Sequence, residues 1–375
     1  MSALPFAHLL LLEPLGLLYG SSGRLLSPEA LTGRAAEQFP PDVPTIAGLI
    51  ASQLNRPTGV NKEETPLWNL HTAGPFCFDS QANDLWLPAP FTLLQVDSTE
   101  PSADPRGGTI PRRLHWMRGE SDGPAGAWHS EDGEDIPRKS RCGGWVALRH
   151  WPQVRARNLA TNQSDRLLVH PDPWQAVPHL HPRLRSEDRT SAGDDALFLE
   201  YGIALQPGFC LAYLSSHAIP EGCYRFGGEG HLVELRCQPL PDLLISLLQE
   251  PLPGPFALIT PGLWGGPRLS RREPLDTSQR PATQPWHRHG IPPAILTERP
   301  RPWRHQLGPS TAAPSSHSRP RLSRGRWAVP AGTCYRVEGG LPPWVAWHAS
   351  WFPKEGFSFK QFGTALALPL HPTLS

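Results

Sequence analysis

The sequence predicts an α+β fold in two domains, and three observations carry that prediction. Between Phe6 and Pro90 a buried strand, an amphipathic helix and a hairpin follow one another, which is how a ferredoxin-like βαββαβ unit opens. From Ala196 onward the alternation typical of strands returns. A chain of 375 residues divides more readily into two cores than it builds one.

The first strand is Phe6 to Leu12. Its run Leu9–Leu12 is no secretory signal, because no basic residue precedes it and Glu13 and Pro14 interrupt it. The run is also too short to span a bilayer, so a cytoplasmic protein without membrane contact is expected. Asp42 then stands as a candidate N-cap with Pro44 in the first turn. Ile46, Leu49, Ile50 and Leu54 recur at helical spacing and define one apolar face. Gly48 costs this helix about 1 kcal/mol relative to Ala, which predicts a close approach by a neighbouring backbone. In "GPFCFDSQANDLWLPAP" (74–90) two aromatic runs flank Ser80 to Asp84, the pattern of a hairpin.

Residues 97–141 are polar and rich in Gly, Pro, Asp and Glu, and read as a loop insertion. Trp145, Leu148, Trp151 and Val154 fall at three-residue steps and predict a helix over 144–158, against which Pro152 stands. "ALFLEYGIAL" and "GFCLAYLSS" are strands parted by Gln206 and Pro207, and they lead into "YRFGGEGHLVEL" (224–235). Pro241 to Glu250 reads as a short helix, and Phe256 to Pro261 as a strand. Structure is expected again in "WAVPAGTCYRVEG" (327–339) and "GFSFKQFGTALALPL" (356–370).

Composition shows where order gives way. Proline (46) and glycine (34) are far above ordinary usage, which implies long irregular stretches between ordered elements. The formal net charge of +1 excludes a general polyanion binder. Its distribution is uneven: only Lys62, Lys139, Lys354 and Lys360 are lysines, and the other basic residues are arginines. Arginine suits phosphate and stacks on bases, although a GC-rich genome produces the same bias. Residues 264–327 hold twelve arginines against Glu273, Asp276 and Glu298, with many prolines and almost no aliphatic run. Such a segment is expected not to order itself. With Trp286 and Trp303 it reads as a nucleic-acid-binding arm, or as an inert solvated loop.

The glycine-rich stretch is the main candidate for chemistry. Gly228 and Gly230 match only the first two glycines of a dinucleotide fingerprint, and no Gly-Lys-Ser/Thr follows for a P-loop. Glu229 is the turn's lone acid, which is too few for a two-metal phosphoryl-transfer site. Two readings stay open: an anion nest flanked by Arg225 and His231, or a plain hairpin turn. Gly193-Asp194-Asp195 mimics a polymerase palm motif but follows a polar run, so it reads as the cap of the next strand. His179/His181 and His287/His289 are His-x-His pairs with no further ligand nearby. The six cysteines show no Cys-x-x-Cys and read as reduced residues. No catalytic nucleophile, metal site or cofactor is expected.

Seven blocks together carry a family resemblance: "LLEPLGLLYGSSGR", "FPPDVPTIAGLIASQL", "GPFCFDSQANDLWLPAPFTLL", "YRFGGEGHLVEL", "ALITPGLW", "WAVPAGTCYRVEGG" and "FGTALAL". In this order the chain resembles the third-subunit family of type III-B CRISPR Cmr effector complexes, within the RAMP superfamily. The resemblance implies two ferredoxin-like (RRM-like) RAMP domains with long irregular insertions. These are residues 1–215 with the polar insertion at 97–141, and 216–375 with the basic insertion at 264–327. It implies a non-catalytic subunit for antiviral defence, with no enzyme activity of its own. Its partners would be guide RNA near the 5′ tag, the large palm-domain subunit and the backbone RAMP subunits. Carried over by position, the RNA contacts would be Arg24, Thr45, Gly48, Arg225, Gly227, Gly228, Gly230, His231, Lys360 and Gly363. The first block departs from the family, with Gly16 where Asp is usual and only Gly23-Arg24 left of its later residues. The basic insertion is also expanded for the family. The rival reading is a metal-independent CRISPR-repeat endoribonuclease, since such enzymes share the RAMP fold and need only one histidine.

Overall fold

Four leucines in a row mark a strand whose two faces are both covered. The computed structural model describes residues 3–19, 39–54, 69–95, 104–117, 119, 126–134, 141–156, 166–182, 197–266, 269–278, 280–307, 321–355 and 357–370. In it β1 (His8–Pro14) sends Leu10 and Leu12 to one face and Leu9 and Leu11 to the other. All four are buried, because the strand lies inside a seven-stranded sheet. Helix α1 (Val43–Leu54) covers the first face with Val43, Ile46, Leu49 and Ile50. The apolar stripe expected from the sequence therefore forms the contact.

The hairpin also forms, as β2 (Thr72–Asp79) and β3 (Asp84–Pro88), but its place is unexpected. A ferredoxin-like opening would set β3 between β1 and β2. Instead the strand between them is β10 (Phe209–Ser215), antiparallel to both. The other side of β1 is taken by β12 (His231–Pro239), which pairs outward with β11 (Gly222–Phe226). The strand that closes the sheet beyond β3 spans Trp145–Ala147. Among the described residues, a hairpin strand and no helix joins β10 to β12. The sheet is antiparallel throughout, so the fold is mixed α/β with antiparallel sheets and few helices.

Three expectations need correction. Residues 97–141 are not merely a loop, for β4 (Leu93–Leu94), β5 (Arg112–Met117) and β6 (Ala127–Ser130) form a small sheet there. Trp116 is buried against Trp128, and Arg112 and Arg113 pair with Asp132, Glu134 and Glu131, so charge neutralises a ribbon that reads as polar. The helix expected over 144–158 begins instead as strand β7 (Trp145–Ala147), passes through a 3-10 turn at Leu148–His150 and becomes α-helix as α2 (Trp151–Arg155). Pro152 lies in the first turn of α2, where its missing N–H costs nothing, so it starts this helix instead of breaking it.

The third concerns the basic segment, much of which is ordered. Trp264, Trp286 and Trp303 are buried, so Trp286 and Trp303 are not free to stack on bases. Trp286 meets Phe256, Trp264, Tyr335 and Trp347 at ring separations between 5.0 and 5.6 Å. These aromatics supply the apolar burial that aliphatic residues do not.

The remaining long ribbon pairs β8 (Trp174–Pro182) with β9 (Leu197–Leu205). Beyond α3 (Asp242–Gln249), strand β13 (Phe256–Leu258) lies in a second sheet with Ala294–Leu296, Cys334–Arg336 and Ala367–Pro369. One apolar cluster reaches from Phe6 through both sheets to Leu370. The division expected at 215/216 falls between β10, which ends at Ser215, and β11, which continues the same sheet. No helix among the described residues is long and apolar enough to cross a membrane.

Candidate nucleic-acid interface

The glycine-rich stretch closes the β11–β12 hairpin at the edge of the seven-stranded sheet. Gly230 N–H donates to Gly227 O at 3.2 Å, and both residues have left-handed backbone, with φ of 70° and 76°. A side chain at either position would be strained. Gly228 faces open space: a Cβ there would meet nothing within 4 Å. Phe226 is buried under the turn among Val43, Ile46 and Tyr213 and fixes the hairpin to α1. Arg225, Gly227, Gly228 and Glu229 are exposed.

Packing of α1 on the sheet brings two of the expected blocks together. The Thr45 methyl lies 3.9 Å from where a Cβ on Gly227 would stand, so the first turn of α1 abuts the glycine turn. Gly48 is exposed one turn further along, and nothing in the chain comes within 4 Å of its added Cβ. The close backbone approach expected at Gly48 is therefore not made by the described chain. Asp42 turns its carboxylate to Arg301 Nη2 at 2.5 Å, which ties the basic segment to the start of α1.

His231 joins the turn to the chain's first loop. Tyr19 N–H donates to His231 Nε2 at 3.3 Å and the two rings stack at 5.5 Å. Glu229 Oε2 is 3.4 Å from the same nitrogen. His231 Nε2 stands between the Tyr19 N–H and the Glu229 carboxylate. The carboxylate thus has a histidine beside it. Tyr19 Oη also meets His179 Nδ1 at 2.8 Å.

The other expected residues lie elsewhere. Lys360 donates through Nζ to Val345 O at 2.9 Å and to Trp347 O, and sits over the rings of Trp344 and Phe352. Burial pulls its pKa down to about 8. Gly363 is packed against β2: a Cβ would stand 2.3 Å from Ala73 Cβ and 2.6 Å from Thr72 O. Both positions are occupied with internal packing and stand apart from the glycine turn's contacts. Arg24 and the Gly193-Asp194-Asp195 motif lie outside the described residues. His287 pairs with Glu273 at 2.9 Å. Among the described residues, no group of three or more His, Cys, Asp or Glu side chains is arranged to hold a metal ion. Burial pushes the thiols of Cys210 and Cys334 up to about 11 and about 12, so neither is a ready nucleophile.

Sequence reasoning missed three contacts: the Tyr19–His231 stack, the Arg301–Asp42 pair and the nearness of Thr45 to Gly227. None has a local signal, since each joins residues far apart in the chain. Only the joint presence of the helix and glycine blocks pointed to the last.

Residues 12–365 match the family described as CRISPR-associated protein (Cas_Cmr3). A cryo-EM structure of the type III-B Cmr-beta complex bound to cognate target RNA contains a chain that is 12% identical, with a TM-score of 0.44. That match covers 88% of this chain and 86% of the other. A second state of that complex, with AMPPnP, gives 11% identity and a TM-score of 0.37 over the same shares. No curated protein matches the sequence. With the family pattern spanning nearly the whole chain, the blocks at 39–54 and 224–235 are parts of one family signature, and the chain belongs to the CRISPR-associated Cas_Cmr3 family.

Proposed function

We propose that this chain is a non-catalytic, RNA-binding and scaffolding subunit of a type III-B CRISPR ribonucleoprotein. In this reading it holds guide RNA near the 5′ tag and docks on the large palm-domain subunit and the backbone RAMP subunits. The observation that carries the reading is the meeting of Thr45 with Gly227 beside exposed Gly228 and Arg225. Membership of the Cas_Cmr3 family over residues 12–365 supports it.

The grip would be made by backbone and charge. Gly228 leaves room for a phosphate to approach the main chain, and Arg225 supplies a fixed cation at the same turn. Glu229 opposes an anion there. Its Oε2 lies 3.4 Å from His231 Nε2. Thr45, in the first turn of α1, stands beside the same turn.

The test is binding of guide RNA by the full chain across a salt series. Arg225→Glu is expected to weaken affinity about tenfold or more and to flatten the log–log salt slope. Wild-type affinity in that variant, with the slope unchanged, would overturn the reading.

A further inference from the structure

The basic segment carries a second recognition surface, distinct in chemistry from the glycine turn. Strands Arg301–Trp303 and Arg326–Ala328 pair antiparallel, and the ribbon continues through the pair Gln306–Leu307 and Arg321–Leu322. Its two faces differ sharply. Trp303, Ser323, Arg326 and Ala328 turn inward and are buried, with Arg326 beside Glu355 and over the Phe359 ring. Pro302 and Trp327 pair on the other face, and Arg304, Gln306, Leu322 and Arg324 are exposed along the ribbon, with the Arg324 N–H donating to Glu355 Oε1 at 2.9 Å. Trp327 is 56% exposed although its backbone is held by Pro302 opposite and by Ser270 Oγ at 3.0 Å. Arg304 is braced across the ribbon by Nε donating to Ser323 O at 2.8 Å. Neither strand contains an acidic residue.

A large flat ring kept in solvent on a hydrogen-bonded ribbon, with exposed arginines along it, has the chemistry of a nucleobase platform. We propose that Trp327 stacks an unpaired base of single-stranded RNA while Arg304 and Arg324 bind the adjoining phosphates. Charge favours RNA over a protein occupant, because residues 264–327 hold twelve arginines against three acids. The proposal rests on the RNA-binding reading above and extends it to unpaired bases.

The experiment measures anisotropy of a short fluorescein-labelled single-stranded RNA, and of the same sequence as a blunt duplex, with the full chain. Trp327→Ala is expected to weaken single-strand binding about fivefold or more. Trp327→Phe should stay near wild type, and duplex binding should not change, since paired bases offer no free face. Arg304→Gln with Arg324→Gln should flatten the salt slope by about 1.4, two phosphates' worth for a single strand. That slope decides the matter if Trp327→Ala fails to fold. Wild-type single-strand affinity in Trp327→Ala, with Arg225→Glu still impaired, would overturn the platform and leave the general RNA role standing. Loss of binding to a partner subunit alone would likewise overturn it and mark the ribbon as a protein interface. Absence of any single-strand binding by the unmodified chain would overturn both.

Discussion

Two turns that one family resemblance marks as RNA contacts turn out to be physical opposites. At 227–230 the turn is open: Gly228 has no neighbour within reach, Arg225 is exposed, and contact to α1 is made by one threonine methyl. At 360–363 everything is spent inward. Gly363 O accepts from Thr260 Oγ1 at 2.6 Å, Thr72 N–H donates to Gln361 O at 2.8 Å, and Lys360 is held by two carbonyls and two rings. His305 packs on Phe362 and Phe359 at the same place. Glycine at 363 is there because two backbones touch, whereas glycine at 228 leaves a backbone reachable. A glycine and a basic residue close together in sequence therefore do not distinguish a ligand site from a tight joint.

The comparison breaks most visibly at Gly363. Its φ of 58° and the 2.3 Å approach to Ala73 Cβ make Gly363→Ala cost about 3–5 kcal/mol. Denaturant unfolding should record that loss, and a near-neutral result would refute the tight-joint reading. Next is Lys360→Met, which leaves Val345 O and Trp347 O without their charged donor and should cost about 2–3 kcal/mol. RNA affinity measured well below the midpoint should be unaffected by it.

A pH effect of about 3 kcal/mol stands beside it. Burial lowers His305 from 6.5 to about 4. As pH falls through that interval the unfolded chain takes up a proton the folded chain refuses, so stability declines, and it recovers as pH rises. His305→Gln should remove that part of the acid-side slope in unfolding titrations. The smallest effect is at the open turn, where Gly228→Ala should alter stability by less than about 0.5 kcal/mol. A Tm shift as large as that of Gly363→Ala would erase the contrast between the two turns.

Much of the fold was legible where periodicity is local. The leucine run, the apolar stripe of α1, the β2–β3 hairpin and α3 each stand in residues close in sequence. What failed was long-range or compensated. Nothing near β1 reveals that its partners are β10 and β12, because neither the fully buried run of β10 nor the alternation of β12 specifies a partner or a register. Trp286 and Trp303 looked like exposed aromatics in a basic arm, but aromatic packing with Phe256, Tyr335 and Phe359 buries both. At the candidate site the glycines and Arg225 were readable from type and spacing. Trp327 was not, since exposure is a property of the ribbon's outer face and not of its composition.

The neighbours of β1 also set a timetable for synthesis. His8–Pro14 pairs on one side with Phe209–Ser215 and on the other with His231–Pro239. A ribosome must add about 200 residues after the leucine run before either edge can be filled, roughly 10–40 s at ordinary elongation rates of ~5–20 residues per second. Throughout that wait an apolar segment of high strand preference has no partner of its own, which is the condition under which nascent chains aggregate. Soluble yield should therefore depend on how the first part of the chain is shielded during translation, and Leu11→Lys would spoil the core it was meant to protect.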